Sequence, residues 1–250
     1  MKSITGLTVA QVEKLTKVAW EEINIVGLPP MIGIREGLMI TLIYLRSNRT
    51  QADIALTRGM SQPTVSHTIS AMTPALATAL EDWVPVLDEV PTRDTAYLID
   101  GSLLPCWSWA DQPDLYSGKH HTTGVNVQLL ATLAGNLLWV SDPLPGSTHD
   151  VTALDEHGVL DVLDPDQTIG DKGYVGRGMT TPIKKPKGRD LTDDRKSFNK
   201  TVNQTRATIE RVIAHFKTWR ITHTDYRRPY PTFATTITAV IGLYYYTLSE

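Results

Sequence analysis

Apolar residues in the first eighty or so positions recur at helical spacing. Val12, Leu15, Ala19 and Ile23 follow a Thr8 and Gln11 pair of the capping-box type, which predicts an amphipathic first helix. After a break at Gly27, Leu28, Pro29 and Pro30, the run from Ile34 to Leu45 is apolar nearly all round, as in a helix buried among others, and Asn48 is its expected stop. Residues 50–72, TQADIALTRGMSQPTVSHTISAM, then predict two short helices. Thr50 with Asp53 caps the first, Gly59 supplies a tight turn, and Ser61 with Pro63 opens the second. Ala55, Gly59 and Val65 have the spacing of a helix-turn-helix. With Val65, Ile69 and Met72 facing inward, Gln62, Thr64, Ser66, His67 and Ser70 lie nearer the outside, short polar groups suited to a major groove. A helical hairpin that serves only packing produces the same short pattern.

From Glu89 the period changes. PTRDTAYLID, residues 91–100, reads as a short strand ending at Asp100. TTGVNVQLLATLAG and LLWVSDPLP read as two more, with Gly135 and Asn136 between them as a hairpin turn. STHDVTALDEHGVL carries a helical pattern, and a fourth short strand ends at Ile169, immediately before GDKGYVG. A long helix is expected from about Thr192 to Trp219, with Asp193 and Asp194 in the first turn, where the helix dipole favours acids. Ile209, Val212, Ile213 and Phe216 form its core stripe. Glu210 lies off the edge of that stripe, within about 40° of Arg206 and Lys217, so its carboxylate can face a cleft. A surface glutamate paired with Arg206 fits the same geometry.

Composition sets the scale. With 250 residues and 41% of them hydrophobic, the chain suits two units, expected at 1–85 and 86–250. The N-terminus, MKSITGLTVAQVEK, carries no apolar signal run, and no apolar stretch reaches the roughly 18 to 20 residues a bilayer requires, so the expectation is a cytoplasmic protein, without membrane contact, that is nucleoid-associated when active. Cys106 is the single cysteine, which excludes an intramolecular disulfide and any multi-cysteine zinc site. The net charge of -3 conceals an asymmetry: residues 172–228 hold 15 Lys or Arg against 5 Asp or Glu, a local +10, so the remainder sums to -13. Such a segment is a candidate phosphate-binding surface, the alternative being a solvated charged face. Lys184, Lys185, Lys187 and Arg189 are its densest part. Lys119, His120 and His121 form a smaller basic turn, and Trp107, Trp109 and Tyr116 offer stacking surfaces or loop packing.

Asp100 near the end of the first strand, Asp171 just past the fourth, and Glu210 on a packed helix can converge on one point. Clustered carboxylates repel one another by on the order of 4 kcal/mol per pair at about 4 Å and an effective dielectric near 20, so such a cluster calls for cations. All-oxygen ligands select Mg2+ or Mn2+ over zinc, and two such ions suit phosphodiester chemistry. The histidines at 120, 121 and 149 match no zinc spacing.

LIDGSLLP around Asp100, GSTHD ending at Asp150, GDKGY around Asp171 and TRATIERVIAHFK around Glu210 occur in this order. With them the chain resembles the insertion-sequence and Harbinger-like transposases of the DDE superfamily endonuclease type. The resemblance implies an α/β fold: a ribonuclease H-like mixed sheet flanked by helices, preceded by an all-α helix-turn-helix domain. It implies that Asp100, Asp171 and Glu210 are the catalytic acids and metal ligands. It makes Asp150, with His149 before it, a neighbour of the metal site, although helix capping also accounts for them; helix geometry, not the resemblance, sets Arg206 and Lys217 beside Glu210. The implied activity is metal-dependent cleavage and strand transfer on double-stranded DNA, from the terminal inverted repeats of a transposon into target DNA, by a homodimer or higher assembly. A catalytically silent DNA-binding regulator is the alternative. A two-carboxylate glycosidase is disfavoured by the basic surround. The run CWSWADQPDLYSGKHH is richer in aromatics than the pattern leads one to expect, and the catalytic half has no large insertion.

Overall fold

A computed structural model describes residues 1–22, 25–90, 96–108 and 111–248. Ile23, Trp109 and positions 91–95 of the expected first strand lie outside the described residues. The helical part begins with α1 (Lys2–Thr5), α2 (Val9–Glu22), α3 (Ile34–Ser47), α4 (Gln51–Arg58) and α5 (Gln62–Ala79). Strands β1 (Tyr97–Pro105), β2 (Tyr116–Ser117), β3 (Thr122–Thr132), β4 (Leu137–Val140) and β5 (Leu144–Pro145) follow. Then come α6 (Asp150–Glu156), α7 (Val159–Val162), β6 (Thr168–Ile169), α8 (Asp193–Phe216) and α9 (Phe233–Tyr246).

The chain divides into two units, one made of residues 1–84 with 216–250 and the other of residues 85–215. In the first, the helix starts are set by local chemistry. Thr8 and Gln11 bond reciprocally, each side chain accepting from the other's backbone N–H at 2.9 and 3.2 Å. Thr50 accepts from the Asp53 N–H and Ser61 from the Thr64 N–H. Asn48 closes α3 in the left-handed region at φ 46, and Gly59 closes α4 at φ 65, where a residue without Cβ is at ease. Residues 37–45 of α3 are buried without a break. Val65, Ile69 and Met72 of α5 are fully buried.

The residues after 215 group with these helices, although the sequence associates them with the second domain. The reason is apolar content: α9, FATTITAVIGLYYY, is buried from Ala239 through Tyr244 and needs partners on several sides. It packs on α5 and on the 3-10 turn Glu81–Trp83, where Trp83 and Tyr246 meet edge to face at 5.4 Å. The long helix α8 stops at Phe216, short of the expected Trp219, and the chain turns through Arg220–Thr222 while Trp219 and Ile221 enter the helical core.

The second unit is built on one mixed sheet. The central strand β3 pairs antiparallel with β1, β2, β4 and β5, and β1 pairs parallel with β6. Three antiparallel strands followed, through a helix, by a strand parallel to the first is the ribonuclease H-like order. Side chains alternate along β1, so Tyr97 and Ile99 point into the core with Leu130, Trp139, Leu154, Val159 and Tyr174, while Asp100 points to the opposite face. On the β1 side, the strand β6 pairs with Tyr97 and Leu98, and on its other side Ile169 bridges Thr180. Beyond Leu98 the sheet edge opens at Asp100.

Candidate active site

Asp100 stands where β1 loses its parallel neighbour. Its Oδ2 accepts from Arg206 Nη2 of α8 at 2.9 Å, with the two side chains only 14% and 13% exposed. Asp171 lies two residues past the end of β6 and folds back to accept from the Gly173 N–H at 2.5 Å, which fixes the turn through Lys172–Tyr174. Asp150 is the first residue of α6, but its carboxylate leaves the helix. Lys119 Nζ donates to Oδ2 at 2.6 Å and Asn126 Nδ2 to Oδ1 at 3.1 Å. Capping therefore does not account for this side chain, and His149, at the cap position, makes no side-chain cap bond either.

The three aspartates share one field. Burial pushes the Asp100 carboxyl up to about 6; Arg206 opposes this, while Asp171 and Asp150 add to it. For Lys119 burial works downward, yet the bond to Asp150 and the charges of Asp150, Asp171 and Asp100 raise it overall. Tyr174 is pushed up chiefly by burial and then by the same three carboxylates.

Two glycines keep the floor of the site open. A side chain at Gly101 would strike the Asp150 carboxylate and come within 3.1 Å of Gln128 Nε2. One at Gly173 would come within 2.7 Å of Asp171 Oδ1 and 3.7 Å of Asp150 Oδ2. Gln128 is fully buried; its Oε1 accepts from Tyr174 Oη at 2.5 Å, and its Nε2 has no partner among the described residues. The Asn126 Oδ1 is likewise unpartnered and borders a cavity of about 110 Å³ lined by Lys119, Ser147, Thr148 and His149. Asn126 and Gln128 escaped the sequence reading. Their signal was two polar residues at strand period inside an otherwise apolar run, TTGVNVQLLATL.

The carboxylates here are the donor type that a hard divalent cation takes. They offer only oxygen, they are partly desolvated, and at present a lysine and an arginine offset their negative charge. Among the described residues no three His, Cys, Asp or Glu side chains are gathered as a finished metal-binding set. Glu210 is exposed, one helical turn beyond Arg206 on α8. Lys217 belongs to the helical unit, where burial lowers its pKa.

The basic residues Lys184, Lys185, Lys187 and Arg189 are exposed in the segment leading to α8. That segment is anchored at Ile183, whose N–H and carbonyl both bond the Asn199 amide, at 2.7 and 3.0 Å. Lys185 pairs with Asp190 at 2.6 Å. In the helical unit Gln62 and His67 of α5 are exposed, while Thr64 and Ser66 are half-buried. The Thr64 hydroxyl is engaged with Ser61 Oγ at 2.8 Å.

The model of a family described as DDE superfamily endonuclease matches residues 99–244, a span that holds Asp100, Asp150, Asp171 and Glu210. The chain belongs to that family. A second model, the helix-turn-helix of DDE superfamily endonuclease, matches residues 30–82 and so covers α3, α4 and α5. Two curated relatives of this DDE endonuclease are similar over most of their length. One, named "Putative transposase for insertion sequence element IS112", from Streptomyces albus G, is 28% identical over 78% of this chain and 73% of its own. The other, named "Probable transposase for insertion sequence element IS702", from Microchaete diplosiphon, is 26% identical over 89% of this chain and 84% of its own. No solved structure matches the chain.

Proposed function

We propose that this DDE endonuclease is a transposase: it binds the inverted repeats at the ends of a mobile element, cuts there, and joins the freed strand to target DNA. The observation that carries the reading is the group of Asp100, Asp150 and Asp171 at the open edge between β1 and β6, charge-compensated by Lys119 and Arg206. Its sequence relatives, both named as transposases, support it.

Asp100, Asp171 and Glu210 would hold Mg2+ or Mn2+, two ions in all, with Asp150 beside them. When bound, the ions would activate the attacking hydroxyl or water and stabilise the leaving oxygen of the phosphodiester. The protein's own groups do the rest. Gly101 and Gly173 keep side chains out of the space next to the carboxylates. Arg206 holds Asp100 in one orientation, and Tyr174 with Gln128 braces the floor from below. The exposed Lys184, Lys185, Lys187 and Arg189 suit DNA phosphates, and α5 presents Gln62 and His67, with Thr64 and Ser66 beside them, to a major groove. Handling two element ends at once calls for at least two protomers. No helix among the described residues is long and apolar enough to cross a membrane.

The test is cleavage and joining of a labelled element end by the full chain, with Mg2+, with Mn2+ and with a chelator. Metal-dependent nicking at the repeat is expected. Sequence-specific binding without any cleavage would leave a DNA-binding regulator instead.

A further inference from the structure

The polar face of α5 is completed by a segment from the far end of the chain. Gln62, Ser66 and Ser70 recur every four residues and so form one stripe along the helix. At its start Gln62 Nε2 donates to Gln51 Oε1 of α4 at 2.9 Å. At its other end lies Arg228. Its Nη2 donates to Ser70 Oγ at 2.6 Å and its Nη1 reaches the Ser66 carbonyl at 3.5 Å. The same hydroxyl of Ser70 donates to that carbonyl at 2.9 Å, so guanidinium, hydroxyl and carbonyl form a closed triangle on the helix surface.

The segment that delivers Arg228 is held firmly. Asn48 Nδ2 donates to Thr224 Oγ1 at 2.7 Å and to the Asp225 carbonyl at 3.0 Å, and Arg227 Nη2 donates to Asn48 Oδ1 at 2.9 Å. Tyr226 is fully buried and stacks on Phe233 at 4.1 Å. Asn48 is the left-handed residue between α3 and α4, so residues 224–228 are tied to the start of the helix-turn-helix itself.

We propose that these residues are part of the DNA-binding surface and that Arg228 grips a backbone phosphate of the duplex read by α5. The proposal rests on α5 being the groove-reading helix. Arg228 is partly exposed, and among the described residues no carboxylate pairs with it; its partners on α5 are a hydroxyl and a carbonyl. A guanidinium carries five N–H donors and a permanent charge. The two bonds to α5 fix its position and leave donors and charge for an anion. A polyanion lying along the Gln62, Ser66 and Ser70 stripe passes this group, and phosphate contacts of that kind set the register of a reading helix.

The experiment is equilibrium binding of the full chain to a terminal-repeat duplex and to a random duplex over a salt series. Arg228→Gln removes the charge but retains an amide that can bond Ser70. It should lower affinity for both duplexes by the same factor and reduce the salt slope by about 0.9, while Arg228→Lys keeps the parent slope. Gln62→Ala tests the helix independently and should weaken discrimination between the two duplexes. An unchanged slope in Arg228→Gln, with discrimination lost in Gln62→Ala, overturns the role of Arg228 and keeps the reading of α5. No change in either variant overturns both. If Arg228→Gln does not fold, Ser70→Ala serves, because it removes the hydroxyl that holds the guanidinium most closely, leaving only the longer contact to the Ser66 carbonyl, without altering charge; affinity equal to the parent for both duplexes overturns the proposal.

Discussion

Arg206 and Asp100, 106 positions apart in sequence, form an ion pair at 2.9 Å with both side chains largely withdrawn from solvent. Removing one member of such a pair strands the other. Arg206→Ala should destabilise the metal-free protein by about 3 kcal/mol. A cation bound only by the folded state restores stability by mass action, so Mg2+ or Mn2+ should raise the melting temperature of the variant more than that of the parent. Equal metal-induced shifts in the two proteins would mean that Arg206 does not offset the charge a metal would otherwise offset.

The pKa of Asp100 gives a pH dependence of definite sign. Burial and the neighbouring acids raise its folded-state value from 3.8 to about 6, so the folded form holds the proton more tightly than the unfolded chain does. The contribution is fully present below about 4 and is lost as pH rises through 6, on the order of 3 kcal/mol in total. Urea denaturation in chelator across pH 4 to 7 should show this decline, and Asp100→Asn should flatten it. The same decline in Asp100→Asn would assign the effect to other groups.

Glu210→Gln keeps size and polarity while removing a charge from an exposed position one turn from Arg206. Cleavage of a labelled element end should fall by several orders of magnitude, about 1.4 kcal/mol for each tenfold, while DNA binding and the fold persist. Mn2+ is expected to restore part of the rate, since it binds oxygen sites more tightly than Mg2+. If the variant cuts as fast as the parent, Asp150→Asn is the next measurement, because Asp150 is already among the other two aspartates.

Reading and gripping should separate in binding assays. His67 is exposed on α5 with its imidazole free of the capping bonds that engage Thr64, so His67→Ala should cost about 1 to 3 kcal/mol of discrimination between repeat and random duplex. Replacing Lys184, Lys185 and Lys187 together should instead weaken both duplexes alike and lower the salt slope by about 0.9 for each phosphate no longer neutralised. The exposed Lys185 pair with Asp190 is worth too little to mask this. An unaltered slope would leave these lysines as a solvated face.

What was legible in the sequence was what is local. Thr8 with Gln11, Thr50 with Asp53, and Ser61 before Pro63 mark helix starts because cap and helix lie within three residues of each other. The strand ending at Ile169 and the hairpin at Gly135 and Asn136 were visible for the same reason. The end of α8 was not, since periodicity carries on past Phe216 while the fold needs Trp219 in another core. At Asp150 the local motif suggested a cap. The side chain answers instead to Lys119 and Asn126, 31 and 24 positions earlier, which no window of helical length contains. The tie between Asn48 and Thr224 spans 176 positions and leaves no periodic trace at all.

That last tie bears on how the protein is made. A ribosome finishes residues 85–215, with every acidic residue of the proposed centre, before it supplies α9 and residues 224–228, on which the helix-turn-helix unit closes. During synthesis the sheet-bearing unit is therefore complete before the helix-turn-helix unit is. A premature stop codon after position 215 would spare all the carboxylates of the proposed centre while removing α9 from α5, which would keep its packing on α2, α3 and α4; on the proposed reading the lesion would appear first as lost aim rather than as damaged chemistry.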